Sequence, residues 1–469
     1  MDFIIVLTSL CFLMFVAYRG FSVIVFAPIA AMGAVLFTDP NLVAPMFSAI
    51  FMKKMVVFVE LYFPVFLLGA IFGKVIELSG FAKSIVAATI KAVGEKRAIL
   101  SIVVVCCLLT YGGVSLFVVV FAVYPFAAEM FRQNNIPKRL IPGTIALGSF
   151  TITMDALPGT PQIQNIIPTT FFKTDAYAAP WLGVIGAVFI MVLGLVYLEW
   201  RRRAAVHAGE GYTLSEGILL NEPEKYEASK LPNPWLAISP LVVVGISNMV
   251  FTRLIPKLYG ATFEFTPVSA GAPAAKIITT IATYKGIWAV LAALLVGIII
   301  TIICSWKEVA PKFIEGSKTA TGGALLASIN TASEYGFGAI ISSLPGFLTA
   351  AATLKSIPNP LVNEAITVTT LAGITGSASG GMSIALAAMS DFFVQAANAA
   401  HIPLEVLHRV ASMASGGMDT LPHNGAVITL LAVTGLTHRV SYKDIFAITC
   451  IKTLAVFFLI AVYYMTGIV

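Results

Sequence analysis

Apolar residues run along this chain in long blocks rather than at helical or strand-like intervals. FIIVLTSLCFLMFVA (3–17) is followed within a few residues by FSVIVFAPIAAMGAVLF (21–37). Further runs lie near 56–72, 99–124, 140–152, 181–200, 235–251, 286–304, 321–350, 362–390, 425–436 and 445–467. A helix that crosses a bilayer needs about 20 predominantly apolar residues. Several runs reach that length, and others are too short or too rich in Gly and Pro to be simple spans. The pattern predicts an all-α polytopic membrane protein with about 11–13 crossings and additional re-entrant pieces. Asp2 precedes the first run, its first positive side chain is Arg19, and no small-residue cleavage site separates it from the second. It therefore reads as a retained first helix rather than a signal peptide.

One stretch interrupts the blocks. Residues 201–234 open with Arg201, Arg202 and Arg203 and continue as a polar, Pro-containing segment. They are expected to be a linker between a first membrane repeat, 1–200, and a second, 235–469. Three arginines beside an apolar helix favour a cytoplasmic side for it.

Composition sharpens this picture. The 469 residues are 58% hydrophobic and 11% charged, with a mean hydropathy of +0.92, whereas a soluble domain is roughly a quarter charged. The net charge of +6 is scattered, which fits membrane-flanking lysines and arginines and not a nucleic-acid footprint. Cys11, Cys106, Cys107, Cys304 and Cys450 lie in or beside apolar runs. They form no CxxC or Cys/His pattern, so neither disulfide, metal nor cofactor is expected.

The two halves share an ordered series of motifs. GGVSL (112–116), NNIPKRLIP (134–142) and TMDALPGTPQI (153–163) are followed by GGMSI (380–384), AAHIPLEVL (399–407) and GMDTLPHNGAV (417–427), at offsets of 268, 266 and 264. Upstream, GKVIELSGF (73–81) has a looser counterpart in NTASEYGF (330–337), matching Glu77 with Glu334. Duplication in a transporter commonly places the binding site where the copies meet.

Paired glycines in mid-run are expected where a helix unwinds, because Gly tolerates the necessary backbone angles; close helix packing on small residues is the alternative. Freed backbone would present Gly112, Gly113 and Ser115 in one copy and Ser379, Gly380, Gly381 and Ser383 in the other to a ligand. The MDxLP segments read as bends at membrane depth, with Asp155 and Asp419 in matching positions. Each aspartate is a functional candidate or the cap of the half-helix that follows. Thr160, Gln162, His423 and Asn424 add neutral hydrogen-bonding groups, and His423 is suited to titrate near neutrality. Glu77 and Glu334 fall at candidate hairpin tips, the first also readable as a loop residue beside Lys74. Asn330 and Thr331 enrich the second tip in small polar groups.

The repeated order of GGxS helix, IP and proline turn, with the N-terminal helix pair and central linker, resembles the gluconate:proton symporter (GntP-type) family of bacterial permeases, within a wider superfamily of organic-anion transporters. The resemblance implies a scaffold with a moving transport unit, inverted repeats, and two re-entrant hairpins facing two discontinuous helices. It implies small hydroxylated monocarboxylate substrates such as gluconate or 3-hydroxybutyrate, proton coupling, a homodimer and a bacterial inner-membrane location. The turn from Thr153 to Gln162 carries Asp155 and no histidine where gluconate members have a histidine- and proline-rich turn. That departure points away from gluconate and towards a shorter acid.

The expected mechanism is alternating access. The substrate carboxylate meets the glycine-rich segments, its hydroxyl meets the two turns, and a proton rides on Asp155, Glu334, Asp419 or His423. Sodium held by backbone carbonyls is the competing coupling ion, and an exchanger or dicarboxylate carrier the competing transport mode. An intramembrane serine protease fits poorly. In GSASGG (376–381), Ser377 stands where a GxSxG turn centred on Ser379 needs glycine, and the other frame puts Ala378 at the nucleophile position.

Overall fold

The computed structural model describes residues 2–19, 21–114, 116–212, 231–266, 276–347, 357–422 and 424–469. The first two apolar runs form α1 (Asp2–Tyr18) and α2 (Val23–Thr38). A helical stretch from Pro40 to Met52 runs without a break into α3 (Lys53–Leu78), and α4 (Phe81–Val93), α5 (Ala98–Tyr111) and α6 (Leu116–Gln133) follow. Next, α7 (Ile141–Leu147) continues as a π-helical stretch, Gly148–Ala156, before α8 (Ile163–Phe172) and α9 (Pro180–His207). Residues 213–230 of the expected linker lie outside the described residues.

The chain resumes in α10 (Pro234–Tyr259). An exposed antiparallel hairpin, β1 (Thr262–Phe265) with β2 (Ile277–Thr280), pairs Thr262 with Thr280. It is a small β element that the apolar pattern does not predict. Then come α11 (Ile281–Cys304), α12 (Trp306–Ser343), α13 (Pro360–Thr375) and α14 (Ala378–Ala399). The chain closes with α15 (Leu404–Ser415), α16 (Gly425–Thr434) and α17 (His438–Thr466).

One face of α9 shows what solvent the outside meets. Trp181, Val184, Val188, Val192, Val196 and Trp200 recur every three or four residues and are all exposed, while Leu182, Gly186, Ile190, Gly194 and Leu198 on the other side are buried. At 1.5 Å per residue the two tryptophans stand about 29 Å apart, close to the hydrocarbon thickness of a bilayer, and tryptophan favours both interfaces. Such a stripe in water would be a large exposed apolar patch; against lipid it is the expected outer face. Among the described residues, five helical segments are long and apolar enough to span, including α9, α10, α11 and α17. Much of the remaining interior is built from shorter and broken helices.

Both halves enter one hydrophobic core, in which Phe72, Val103, Phe131 and Leu147 pack with Leu294, Leu386, Val410 and Leu459. Helix α12 lies along α3, and α1 and α2 form a smaller cluster with Phe337, Ile340 and Ile341 of α12.

The glycine motifs do not unwind a continuous helix; they end one helix and turn the chain into the next. At the first, Gly113 has φ +92°, and the bonds Val114 N to Leu109 O (3.1 Å) and Gly113 N to Thr110 O (3.0 Å) close a Schellman motif. At the second, Gly376 has φ +64° and Ser377 N donates to Ala372 O at 3.2 Å. The helices on either side then pack on each other, α5 with α6 and α13 with α14. A Cβ at Gly381 would overlap the backbone of Ala372, so α14 lies directly against α13. The structural repeat therefore pairs Gly113 with Gly376, an offset within one residue of that between Asp155 and Asp419, and not with Gly381 as the GGxS match does.

The MDxLP segments behave differently. Residues 157–162, and among the described residues 416–422 and 424, are non-helical bridges into α8 and between α15 and α16. Among the described residues these segments thus form two helical hairpins and two interrupted helices.

Candidate functional site

Each interrupted helix holds one hairpin tip. In the first half, the Gln162 side chain donates to Thr110 O (2.9 Å) and Val114 O (3.3 Å), carbonyls on either side of the point where α5 stops. Pro161 packs on Gly113, 3.1 Å from where a Cβ would sit, and Tyr111 donates to Pro158 O at 3.1 Å. In the second half, Asn424 Nδ2 donates to Gly376 O at 2.7 Å, while its Oδ1 accepts from Ala426 N (2.6 Å) and Val427 N (3.0 Å) as the N-cap of α16. Backbone groups freed inside a membrane protein need internal partners, and these two amides supply them. Gln162 and Asn424 are therefore occupied as backbone anchors in this state.

Beside the second tip, α12 brings up polar groups. Thr331 Oγ1 lies 3.3 Å from Ser379 Oγ. Asn330 Oδ1 and Glu334 Oε2 are buried without a hydrogen-bond partner. The Glu334 carboxylate fills the space where a Cβ of Gly380 would be, so glycine at 380 is what lets the acid approach the tip. Glu334 does not occupy a hairpin tip: it sits well inside the 38-residue α12 and is 3% exposed. Its sequence partner Glu77 is exposed and salt-bridged to Lys74 at 2.9 Å.

The aspartates of the two turns meet in one buried cluster. Lys452 of α17 pairs with Asp419 Oδ1 at 2.5 Å and donates to Phe150 O at 3.1 Å. A Cβ at Gly416 would strike the Asp155 carboxylate and lie 3.6 Å from Lys452 Nζ, so both groups flank that glycine. Neither carboxylate oxygen of Asp155 has a hydrogen-bond partner, although the residue is 1% exposed. Its backbone carbonyl accepts from Ser412 Oγ (2.7 Å) and Arg409 Nη1 (3.3 Å). Arg409 is fully buried and also donates to Ala178 O (2.8 Å) and Asn165 Oδ1 (3.1 Å). His408 Nδ1 lies 2.7 Å from Thr174 Oγ1, and its Nε2 lies 3.3 Å from Asn165 Oδ1. Helix α15 is thereby tied by polar contacts to Asp155, to Asn165 of α8 and to the segment that follows α8, beside the apolar packing of Leu407, Val410 and Met413.

Other sequence candidates are placed as follows. Gly112 is a packing position, where a Cβ would overlap Leu241 of α10. Thr160 is buried in the first turn and its hydroxyl accepts from Gln162 N at 3.4 Å. Ser383 is buried and donates to Ser379 O at 2.6 Å, inside its own helix. Ser115 and His423 lie outside the described residues. Three functional-looking residues escaped the motif search: Lys452, His408 and Glu364 of α13, which is fully buried with both carboxylate oxygens unpartnered. Lys452 and Glu364 are ionisable groups inside otherwise apolar runs, and that alone is a usable signal. An open, mainly apolar groove of about 430 Å³ lies beside the second turn, lined in part by Thr369, Gly373, Met418, Leu421 and Phe457.

A helical, lipid-facing exterior around buried hairpin tips and interrupted helices defines a polytopic membrane transporter. The chain belongs to the GntP family of permeases. The family model for GntP family permeases matches residues 64–269. The uncharacterized transporter YxjC of Bacillus subtilis (strain 168) is 59% identical over 475 residues, covering 100% of both chains. Among solved structures, MtrF of Neisseria gonorrhoeae, described within a class of antimetabolite efflux pumps, is similar at a TM-score of 0.51 and 13% identity, over 92% of this chain and 85% of that one; the likeness is one of fold. The YdaH transporter of Alcanivorax borkumensis gives a TM-score of 0.48 at 13% identity, over 89% of this chain and 88% of that one.

Proposed function

We propose that this permease is a secondary active symporter of the bacterial inner membrane, carrying a small hydroxylated monocarboxylate such as 3-hydroxybutyrate or gluconate with protons by alternating access. The observation that carries the reading is the set of buried carboxyls beside the tips and turns. Asp155 has two oxygens and Glu334 one oxygen without a donor. A carboxyl buried without partners is stable only as the neutral acid or beside a cation. A carrier that must bind a proton and an anion together needs such groups.

In this reading Ser379 and the amides around Gly380, with Thr331 and Asn330, receive the substrate carboxylate. The proton rides on Asp155, Asp419 or Glu334, and the turns carrying the two aspartates bind the hydroxyl. The two halves, 1–200 and 235–469, are the functional repeats, and each turn moves with the tip it anchors.

The test is uptake of labelled 3-hydroxybutyrate and gluconate into proteoliposomes, under an inward proton gradient and separately under an inward sodium gradient. Accumulation driven by protons and abolished by Asp419→Asn is expected. Folded protein that accumulates neither acid would refute the substrate class, and accumulation driven only by sodium would refute the coupling ion.

A further inference from the structure

Lys452 is a lone lysine inside the apolar run of α17, 1% exposed, and no sequence motif draws attention to it. Its two acceptors are oxygens of the kinds that also ligate a small metal cation. One acceptor is the Asp419 carboxylate at 2.5 Å, from the interruption between α15 and α16. The other is Phe150 O at 3.1 Å, in the π-helical stretch that leads into the opposite interruption. The unpaired Asp155 carboxylate faces the same glycine, Gly416, with Arg409 behind it on the Asp155 backbone. Carboxylates and irregular backbone carbonyls gathered where interrupted helices meet are the ligands with which secondary transporters hold sodium. Here the positive charge reaches them on a covalent tether.

We propose that the Lys452 ammonium occupies the position of a metal coupling cation, so that this site binds no sodium. The proposal rests on the transporter reading for its meaning, since it gives the place of a metal coupling cation to a group that cannot leave and so leaves coupling to the proton. The geometry has a direct consequence. Removing the ammonium leaves two buried carboxylates and a carbonyl around an empty space, and a small monovalent cation then restores the charge balance. Methionine at 452 keeps most of the side-chain volume, and alanine opens more room.

The experiment measures melting of the purified full-length protein as sodium chloride replaces choline chloride at constant ionic strength. Wild type is expected to be indifferent to the exchange. Lys452→Met and Lys452→Ala are expected to melt lower in choline and to rise with sodium to a saturating limit, as linkage to a bound ligand requires. Wild type that is itself stabilised by sodium with saturation, or folded variants that ignore sodium, would overturn the proposal. If both variants fail to fold, the wild-type titration decides, together with wild-type uptake measured with and without sodium. Sodium-dependent uptake then contradicts the proposal, and sodium-independent uptake with no melting response supports it. Melting requires no substrate, so loss of the symporter reading would appear as absent uptake while the sodium response of the variants stood.

Discussion

Asn424 performs two separable tasks, and its replacement should report on both. Its Oδ1 caps α16 through Ala426 N and Val427 N, and its Nδ2 holds Gly376 O at the second hairpin tip. Losing an Asn cap to alanine costs about 0.5–2 kcal/mol. Leaving a buried carbonyl without its donor costs about 1–3 kcal/mol. Asn424→Ala should therefore destabilise the protein by about 2–4 kcal/mol, since the two losses are independent but local relaxation recovers part. Asn424→Ser preserves the cap through its hydroxyl and withdraws the donor from the Gly376 carbonyl. It should melt above the alanine variant while impairing transport as severely, because the tip is equally untied. Thermal unfolding in detergent gives the first comparison and initial-rate uptake the second. An alanine variant that melts and transports like wild type would refute the claim that the turn anchors the tip.

Gly380→Ala drives a Cβ into the Glu334 carboxylate; overpacking of this kind costs about 1–3 kcal/mol, and uptake should fall, with partial recovery when Glu334→Asp shortens the opposing acid. Glu334→Gln keeps the shape of a side chain whose Oε2 has no partner. It should fold normally and lose proton-driven accumulation while retaining substrate exchange, both measured in the same vesicles. Outside the membrane, the Arg139 guanidinium forks onto Glu210 at 2.6 and 2.7 Å and holds its carboxyl below the ordinary glutamate value of 4.5. A carboxyl lowered by folding stabilises the native state above its unfolded value and loses that contribution as pH falls through its folded one. Glu210→Gln should thus melt below wild type at pH 7, and the two curves should converge only below pH 4.5.

The sequence made the class of protein plain because lipid imposes a coarse requirement: long apolar runs and few charges. The duplicated MDxLP segments were legible because an acid, a proline and turn-forming residues gathered at one point disfavour a continuous helix. The glycine pairs were ambiguous for a physical reason. Gly113 and Gly376 satisfy an unwound helix and a helix end equally well, and only packing, such as Gly381 on Ala372, shows that the chain reverses. Glu334 was drawn to a tip by the match of Gly336 with Gly80. Yet Gly80 ends α3 at φ +75°, whereas Gly336 stays helical within α12, packed against Phe51. The amides of Gln162 and Asn424 suit a ligand or a backbone carbonyl equally, and nothing local chooses between them. Lys452 was hidden by its neighbours, because one charge hardly lowers the hydropathy of the run 445–467.

The most direct test of the account is proton movement driven by substrate alone. Proteoliposomes loaded with a pH-sensitive dye, at equal pH inside and out, receive gluconate or 3-hydroxybutyrate, with protein-free vesicles correcting for diffusion of the neutral acid. The account predicts acidification of the lumen that follows uptake of the acid and disappears in Asp419→Asn. Uptake with no change in lumen pH beyond the protein-free control would contradict it.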